Sequence, residues 1–370
     1  MKLIKNLWMI VVFVLLMGCT VQEKTGEVKE EIDMSGFTEL AYEVEIPMIE
    51  EGGLILVIDR KTDKNGFINM QGELVIPMEH GVVTKFSQGL CFSLDGQSGY
   101  YLDSEGNKVI EEVDGKKIRS GFEFDRAGQA IVRVDGKDGE EFLLIDTKGK
   151  AIDRYDKEDL EAQKITRESD PKNFSILNDF RPGKVYQKRR ILDRFAKTTF
   201  YSDGEYFGIF STEDKKFVTD LIYKRVGFFQ NDRAIVIDKE GRMLLVDKEG
   251  NEILHISGKY SGLNFELYPF LSEEGFALNF LDEQKKAIIL DVDGNEVKQT
   301  NYDYIGYFDQ GIAKMGNVVE KERKKYKYGL INAKGEEILS PIYDNIGNIY
   351  EGKILVKANN KWYIGDVPGS

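Results

Sequence analysis

The chain has 370 residues, 51 Lys plus Arg against 64 Asp plus Glu, a formal net charge of −13 and a pI near 5.0. A surface this acidic repels phosphate backbones and anionic lipid heads, which argues against a nucleic-acid partner. Two cysteines and two histidines (His80 and His255) supply no metal-spaced cluster, and no Gly-x4-Gly-Lys-Ser/Thr phosphate loop occurs, so no cofactor is expected.

In chain order, Lys2 and Lys5 form a basic start before Leu7 to Met17, an apolar run of 11 residues. Crossing a bilayer takes about 20 apolar residues, so the run predicts a signal-peptide core over 1–18. Its end, Leu16-Met17-Gly18-Cys19, resembles the bacterial lipobox. That resemblance implies cleavage before Cys19, acylation of its thiol, and a membrane link through the N-terminal lipid outside the cytoplasm. Residues 19–36 carry five acidic side chains against two lysines between Thr20 and Gly36, with few large apolar groups. That stretch cannot bury enough surface to fold alone and reads as a flexible tether.

From residue 37 to 366 helical periodicity nearly vanishes, and short apolar runs alternate with turn signals. The exception is Lys157 to Arg167, a helical candidate inside a polar insertion at about 152–200. One pattern recurs: an apolar run, then Asp-x-x-Gly, then a second run. Its Asp/Asn/Ser column falls at 69, 103, 146, 211, 247, 291 and 332, at spacings of 34, 43, 65, 36, 44 and 41. The Asp side chain caps local amides and Gly takes positive φ, so each repeat predicts strands joined by a tight turn. Pro, an aromatic segment and Phe/Tyr-x-x-Gly follow, as in Pro341-Ile-Tyr-Asp344 and Tyr350-Glu-Gly352.

Lys327-Tyr-Gly-Leu-Ile-Asn-Ala-Lys-Gly335 with Pro341-Ile-Tyr-Asp344 resembles the bacterial WG-repeat family, also called KWG; Lys361-Trp362 supplies the namesake pair, though Tyr363 replaces the Gly. The resemblance spans about 50 to 366 and implies an all-β architecture of tandem hairpin repeats without defined catalytic machinery. The chain ends on Trp362-Tyr-Ile-Gly-Asp366, one strand of a unit. It starts its repeats on Glu45-Ile-Pro47 and Leu54 to Ile58, the later part of one. Joining the two would leave no exposed sheet edge, which favours a propeller-like ring of seven or eight units over the alternative, an open β-superhelix. Residues 367–370 form a short tail.

Few residues invite chemistry. Asp291, Asp293 and Asn295 offer oxygens that could hold calcium, but the sister turns place Lys there and no full calcium loop follows. His255 lies in an apolar run, which suits a structural histidine better than a catalytic one. Cys91 reads as a small buried strand residue. Arg181, Lys184, Lys188, Arg189, Arg190 and Arg194 form a basic cluster in the insertion, a candidate contact for an anionic partner against an acidic body. The reading that follows is a lipid-anchored, non-catalytic module of the bacterial cell envelope that binds a protein or glycan. Its alternatives are a carboxylate-dependent envelope hydrolase and a calcium-stabilised structural protein.

Overall fold

In a computed structural model the described residues are 32, 34–136, 139–155, 190–191, 196–202, 205–282, 284–320 and 325–369. Residues Met34–Ser370 form one compact unit. The seventh repeat shows how the sequence makes its strands. Tyr304–Asp309, Ile312–Glu320, Lys325–Asn332 and Glu337–Tyr343 pair antiparallel in that order. Its first turn is Gln310-Gly311, both at positive φ (51° and 77°), the two-residue geometry that matches strand twist. In its third turn the Asn332 Oδ1 accepts the amides of Lys334 (3.0 Å) and Glu336 (2.9 Å), while Gly335 sits at φ 81°.

The Gly of Tyr328-Gly329 has a packing reason. A Cβ there would lie 2.2 Å from the Leu339 carbonyl oxygen. The ladder pairs Tyr328 with Tyr343 but Leu330 with Leu339, so the fourth strand bulges over Gly329. Pro341 sits in that bulge, where no ladder N–H is needed. The first repeat repeats the device: Gly66 lies under the bulge containing Pro77, and its Cβ would lie 2.5 Å from the Ile76 oxygen.

Among the described residues eight such units follow one another. Unit 1 runs from Glu43–Ile49 to Leu74–His80, unit 2 from Val82–Val83 to Lys108–Ile110, and unit 3 from Lys116–Gly121 to Ala151–Tyr155. Unit 4 runs from Arg190–Ile191 to Lys216–Phe217 and unit 5 from Tyr223–Val226 to Glu252–His255. Unit 6 keeps three strands, Phe276–Leu278, Ile288–Leu290 and Glu296–Gln299, with a Leu263–Phe280 bridge in place of its first. Unit 8 takes Asn345–Tyr350, Lys353–Ala358 and Lys361–Asp366 from the end of the chain and Phe37–Glu39 from its beginning.

The sheets stack face to face. In Leu54-Ile55-Leu56-Val57, Leu54 and Leu56 pack against unit 2 around Phe86, Cys91 and Tyr100. Ile55 and Val57 pack against unit 8 around Leu355, Trp362 and Ile364. Burial on both faces explains why the strands read as continuous apolar runs rather than alternating ones. Shared cores of the same kind join units 2 and 3, 4 and 5, 5 and 6, and 6 and 7.

The ring closes where first and last units meet. Phe37, Thr38 and Glu39 pair with Gly365, Ile364 and Tyr363. The Asn348 side chain donates to the Ile49 carbonyl (2.9 Å) and accepts the Ile49 amide (2.7 Å). This corrects one expectation: the shared unit is completed by Phe37–Glu39, whereas Glu45–Pro47 and Leu54–Ile58 belong to unit 1. It also explains Tyr363. The strand beside it pairs without a register shift and carries no proline bulge, so the Gly of the pattern is not required there. The insertion is shorter than expected, because residues 151–155 complete unit 3 and 198–202 already belong to unit 4. The helical candidate 157–167 lies outside the described residues.

Candidate interaction face

The first turns of units 1, 2, 3, 5, 6 and 8 are tied to a neighbour's at one end of the ring. Glu50 Oε2 accepts the Phe86 amide (2.8 Å) and Glu51 Oε1 the Gly89 amide (2.9 Å), joining units 1 and 2. The Ser87 hydroxyl donates to the Phe124 carbonyl (2.7 Å), joining units 2 and 3. Asn231 Nδ2 donates to the Glu273 carbonyl (3.2 Å), and the Gly52 amide donates to the Tyr350 hydroxyl (3.1 Å).

Registers of these turns align one column of residues. Ser87 bridges Leu90, Gln230 bridges Arg233, the Ser272 amide bonds the Gly275 carbonyl, and Asp309 pairs with Ile312. The residue two before each is Lys85, Phe228, Phe270 and Tyr307; unit 3 places Glu123 and unit 8 Asn348 there. Lys85 and Glu123 form an ion pair at 3.2 Å, so column neighbours on adjacent units lie within side-chain reach. In units 5, 6 and 7 the column is aromatic and open to solvent: Phe228 is 51%, Phe270 46% and Tyr307 47% exposed. Burial under these rings falls on the next residues, Phe229, Leu271 and Phe308, which enter the shared cores. Phe265 and Leu267 add exposed apolar area on the segment leading to Phe270. That segment is held by Arg225, whose guanidinium lies 4.2 Å over the Tyr268 ring and donates to the Phe265 carbonyl (2.9 Å).

Carboxylates rim the arc. Glu266, Glu273, Glu274 and Asp309 are exposed, and burial together with Asp309, Glu274 and Glu273 raises the Tyr307 phenol pKa. Among the described residues no Lys or Arg pairs with Glu266, Glu273 or Asp309, whereas Asp232 is engaged by Lys248 at 2.9 Å. Across the ring, the Glu50 carboxyl is 5% exposed and burial pushes its pKa up to about 7.

A polar cleft of about 320 Å³ lies elsewhere, lined by Gln97, Arg119, Arg133, Asp135 and Glu140. Arg119 donates to Asp135 (2.8 Å) and Arg133 pairs with Glu140. The Arg119 hydrogen bond holds Asp135 below the usual carboxylate range. A general acid needs the opposite shift, so this pair is suited to pinning the hairpins together.

The residues singled out by the sequence are dispersed. Asp291 is a turn residue: its Oδ1 accepts the amides of Asp293 (2.9 Å) and Asn295 (2.8 Å), and its Oδ2 the Asn295 side chain (3.0 Å). Burial acts to raise its pKa, but those hydrogen bonds together outweigh it and the net shift is downward. Asp293 turns outward to Arg233 at 2.6 Å, so these oxygens are directed at amides and a guanidinium. His80 is buried, with Nδ1 3.0 Å from the Tyr100 hydroxyl. His255 ends a strand of unit 5, and Cys91 is buried between units 1 and 2, where burial raises its thiol pKa. Cys19, Arg181, Lys184, Lys188, Arg189 and Arg194 lie outside the described residues, and of Arg190 only the backbone is described. The aromatic arc escaped the sequence reading. Its signal is the doublet before the first turn, Phe228-Phe229 and Tyr307-Phe308, visible once the units are aligned on that turn.

A family model, WG containing repeat, matches residues 66–92, 289–315 and 328–362. Three stretches of the chain are therefore similar to the WG containing repeat. The last match covers the Gly329 bulge and the Asn332 turn, and it includes Asp344, which pairs with Lys327 at 2.8 Å. No curated protein sequence matches the chain. Among solved structures it is similar to BamB from Moraxella catarrhalis (11% identity, 88% of this chain and 83% of that one, TM-score 0.32). It is also similar to a eukaryotic initiation factor (9%, 90% and 88%, 0.44) and to the Dos1 propeller (12%, 91% and 98%, 0.39).

Proposed function

We propose that this WG-repeat ring is a non-catalytic binding or scaffold module, anchored by lipid on Cys19 outside the cytoplasm of a bacterial cell and holding an envelope protein or glycan. One observation carries the reading: three consecutive units expose an aromatic ring at the same register of one face, while the next residue of each takes the core position. A closed ring of short hairpins gives such groups a rigid mount, because units 5, 6 and 7 share buried cores with one another. The anchor rests on the N-terminal pattern ending at Cys19.

The test is crosslinking on intact cells followed by capture of the full-length chain, beside Cys19→Ala and a variant with Phe228, Phe270 and Tyr307 all changed to Ala. The reading expects one abundant envelope component with the wild type and loss of membrane retention in Cys19→Ala. A chain that captures nothing, protein or glycan, refutes it.

A further inference from the structure

The arc on units 5 to 7 combines two properties that together select a partner. Phe228, Phe270 and Tyr307 expose aromatic surface on adjacent units. Their continuity is set by the Asn231–Glu273 hydrogen bond between units 5 and 6 and by Gly311, whose Cβ position lies 3.7 Å from the Glu274 carboxylate, between units 6 and 7. Around these rings Glu266, Glu273 and Asp309 carry charge that no Lys or Arg among the described residues neutralises. A neutral glycan would stack on the rings and leave those carboxylates uncompensated. A cation answers both, since ring faces and carboxylates attract the same charge. The protein already makes that contact beside the arc, where the Arg225 guanidinium lies 4.2 Å over the Tyr268 ring.

We propose that the Phe228–Phe270–Tyr307 arc docks an arginine- or lysine-rich segment of a partner protein, with basic side chains over the rings and their charge answered by Glu273 and Asp309. The proposal rests on the binding-module reading and deepens it by naming the partner's chemistry. It places the docking face on the ring body, distinct from the basic insertion.

The probe is a fluorescein-labelled ten-residue peptide of alternating Arg and Ser, titrated by anisotropy with the full-length chain in detergent. The triple change Phe228→Ala, Phe270→Ala, Tyr307→Ala leaves net charge intact. It should weaken binding roughly 10-fold to 100-fold, from three exposed cation–ring contacts. Glu273→Gln with Asp309→Asn should weaken it and flatten its salt dependence. Lys85→Ala with Glu123→Ala, in the same column on the other side, should bind within about 2-fold of wild type. Melting temperatures within a few degrees of wild type establish that each variant is folded.

Undiminished binding by the triple-alanine chain would mean simple attraction to an acidic body and would overturn the proposal. So would arc-dependent binding of a neutral N-acetylglucosamine hexamer in place of the peptide. A cellular partner captured equally by wild type and the triple variant would sink this inference while leaving the binding-module reading intact. Capture of nothing by the wild type would sink that reading itself.

Discussion

Glu50→Gln is the most informative single change in the ring. Glu50 is 5% exposed at the junction of units 1 and 2, and its Oε2 accepts the Phe86 amide at 2.8 Å. Burial is the largest influence on it; the Phe86 amide and Lys85 favour its charge, and Glu123 opposes it. Together they raise its pKa from 4.5 to about 7. The folded chain therefore holds a proton that the unfolded chain releases, and stability falls as pH rises between those values. At 1.36 kcal/mol per pH unit, the difference between 4.5 and about 7 comes to about 3 kcal/mol above pH 7. Gln keeps an acceptor for the Phe86 amide and has no charge to bury. Urea unfolding at pH 5 and pH 8 should find the variant close to wild type at pH 5 and about 3 kcal/mol more stable at pH 8. The neighbouring Cys91 thiol, raised by burial, stays protonated across that window. Parallel stability profiles for the two chains between pH 5 and 8 would refute the reasoning.

Three further outcomes follow from the packing. Trp362→Ala empties part of the core shared by units 8 and 1 and should cost about 3–5 kcal/mol by denaturant unfolding. Gly329→Ala sets a Cβ 2.2 Å from the Leu339 oxygen and should cost about 2 kcal/mol or more, with faster hydrogen exchange across Lys325–Asn332 and Glu337–Tyr343. Millimolar calcium should leave the melting temperature unchanged, because the Asp291 oxygens already accept three hydrogen bonds; a rise of several degrees would return the turn to candidacy as a metal site.

Much of this architecture was legible because local chemistry dictates it. Asn332 and Asp291 mark turns since a short carboxyl or amide can bond amides two and four residues on, and Gly335 alone suits the left-handed position. Leu54 to Val57 reads as a buried strand since both faces meet another sheet. The closing strand was not legible. Phe37-Thr38-Glu39 is three residues long, and its strand partner among the described residues is Lys361–Asp366 at the far end of the chain. Nor was the first strand of unit 2, Val82–Val83, which is short and partly exposed. The aromatic arc is a property of neighbours: Phe228 looks like any core phenylalanine until the alignment of turns shows that Phe229 takes the core position.

The closed ring is the premise of everything above, and a crosslink tests it directly. Glu39 and Tyr363 face each other across the closing ladder. Opposed residues in an antiparallel pair lie about 4.5–5.5 Å apart at Cα, within reach of a disulfide. The chain with Glu39→Cys and Tyr363→Cys should oxidise within the monomer, migrate faster on non-reducing gels and resist urea better than its reduced form. Two thiols that stay freely alkylated in the folded monomer under the same oxidant would contradict the ring.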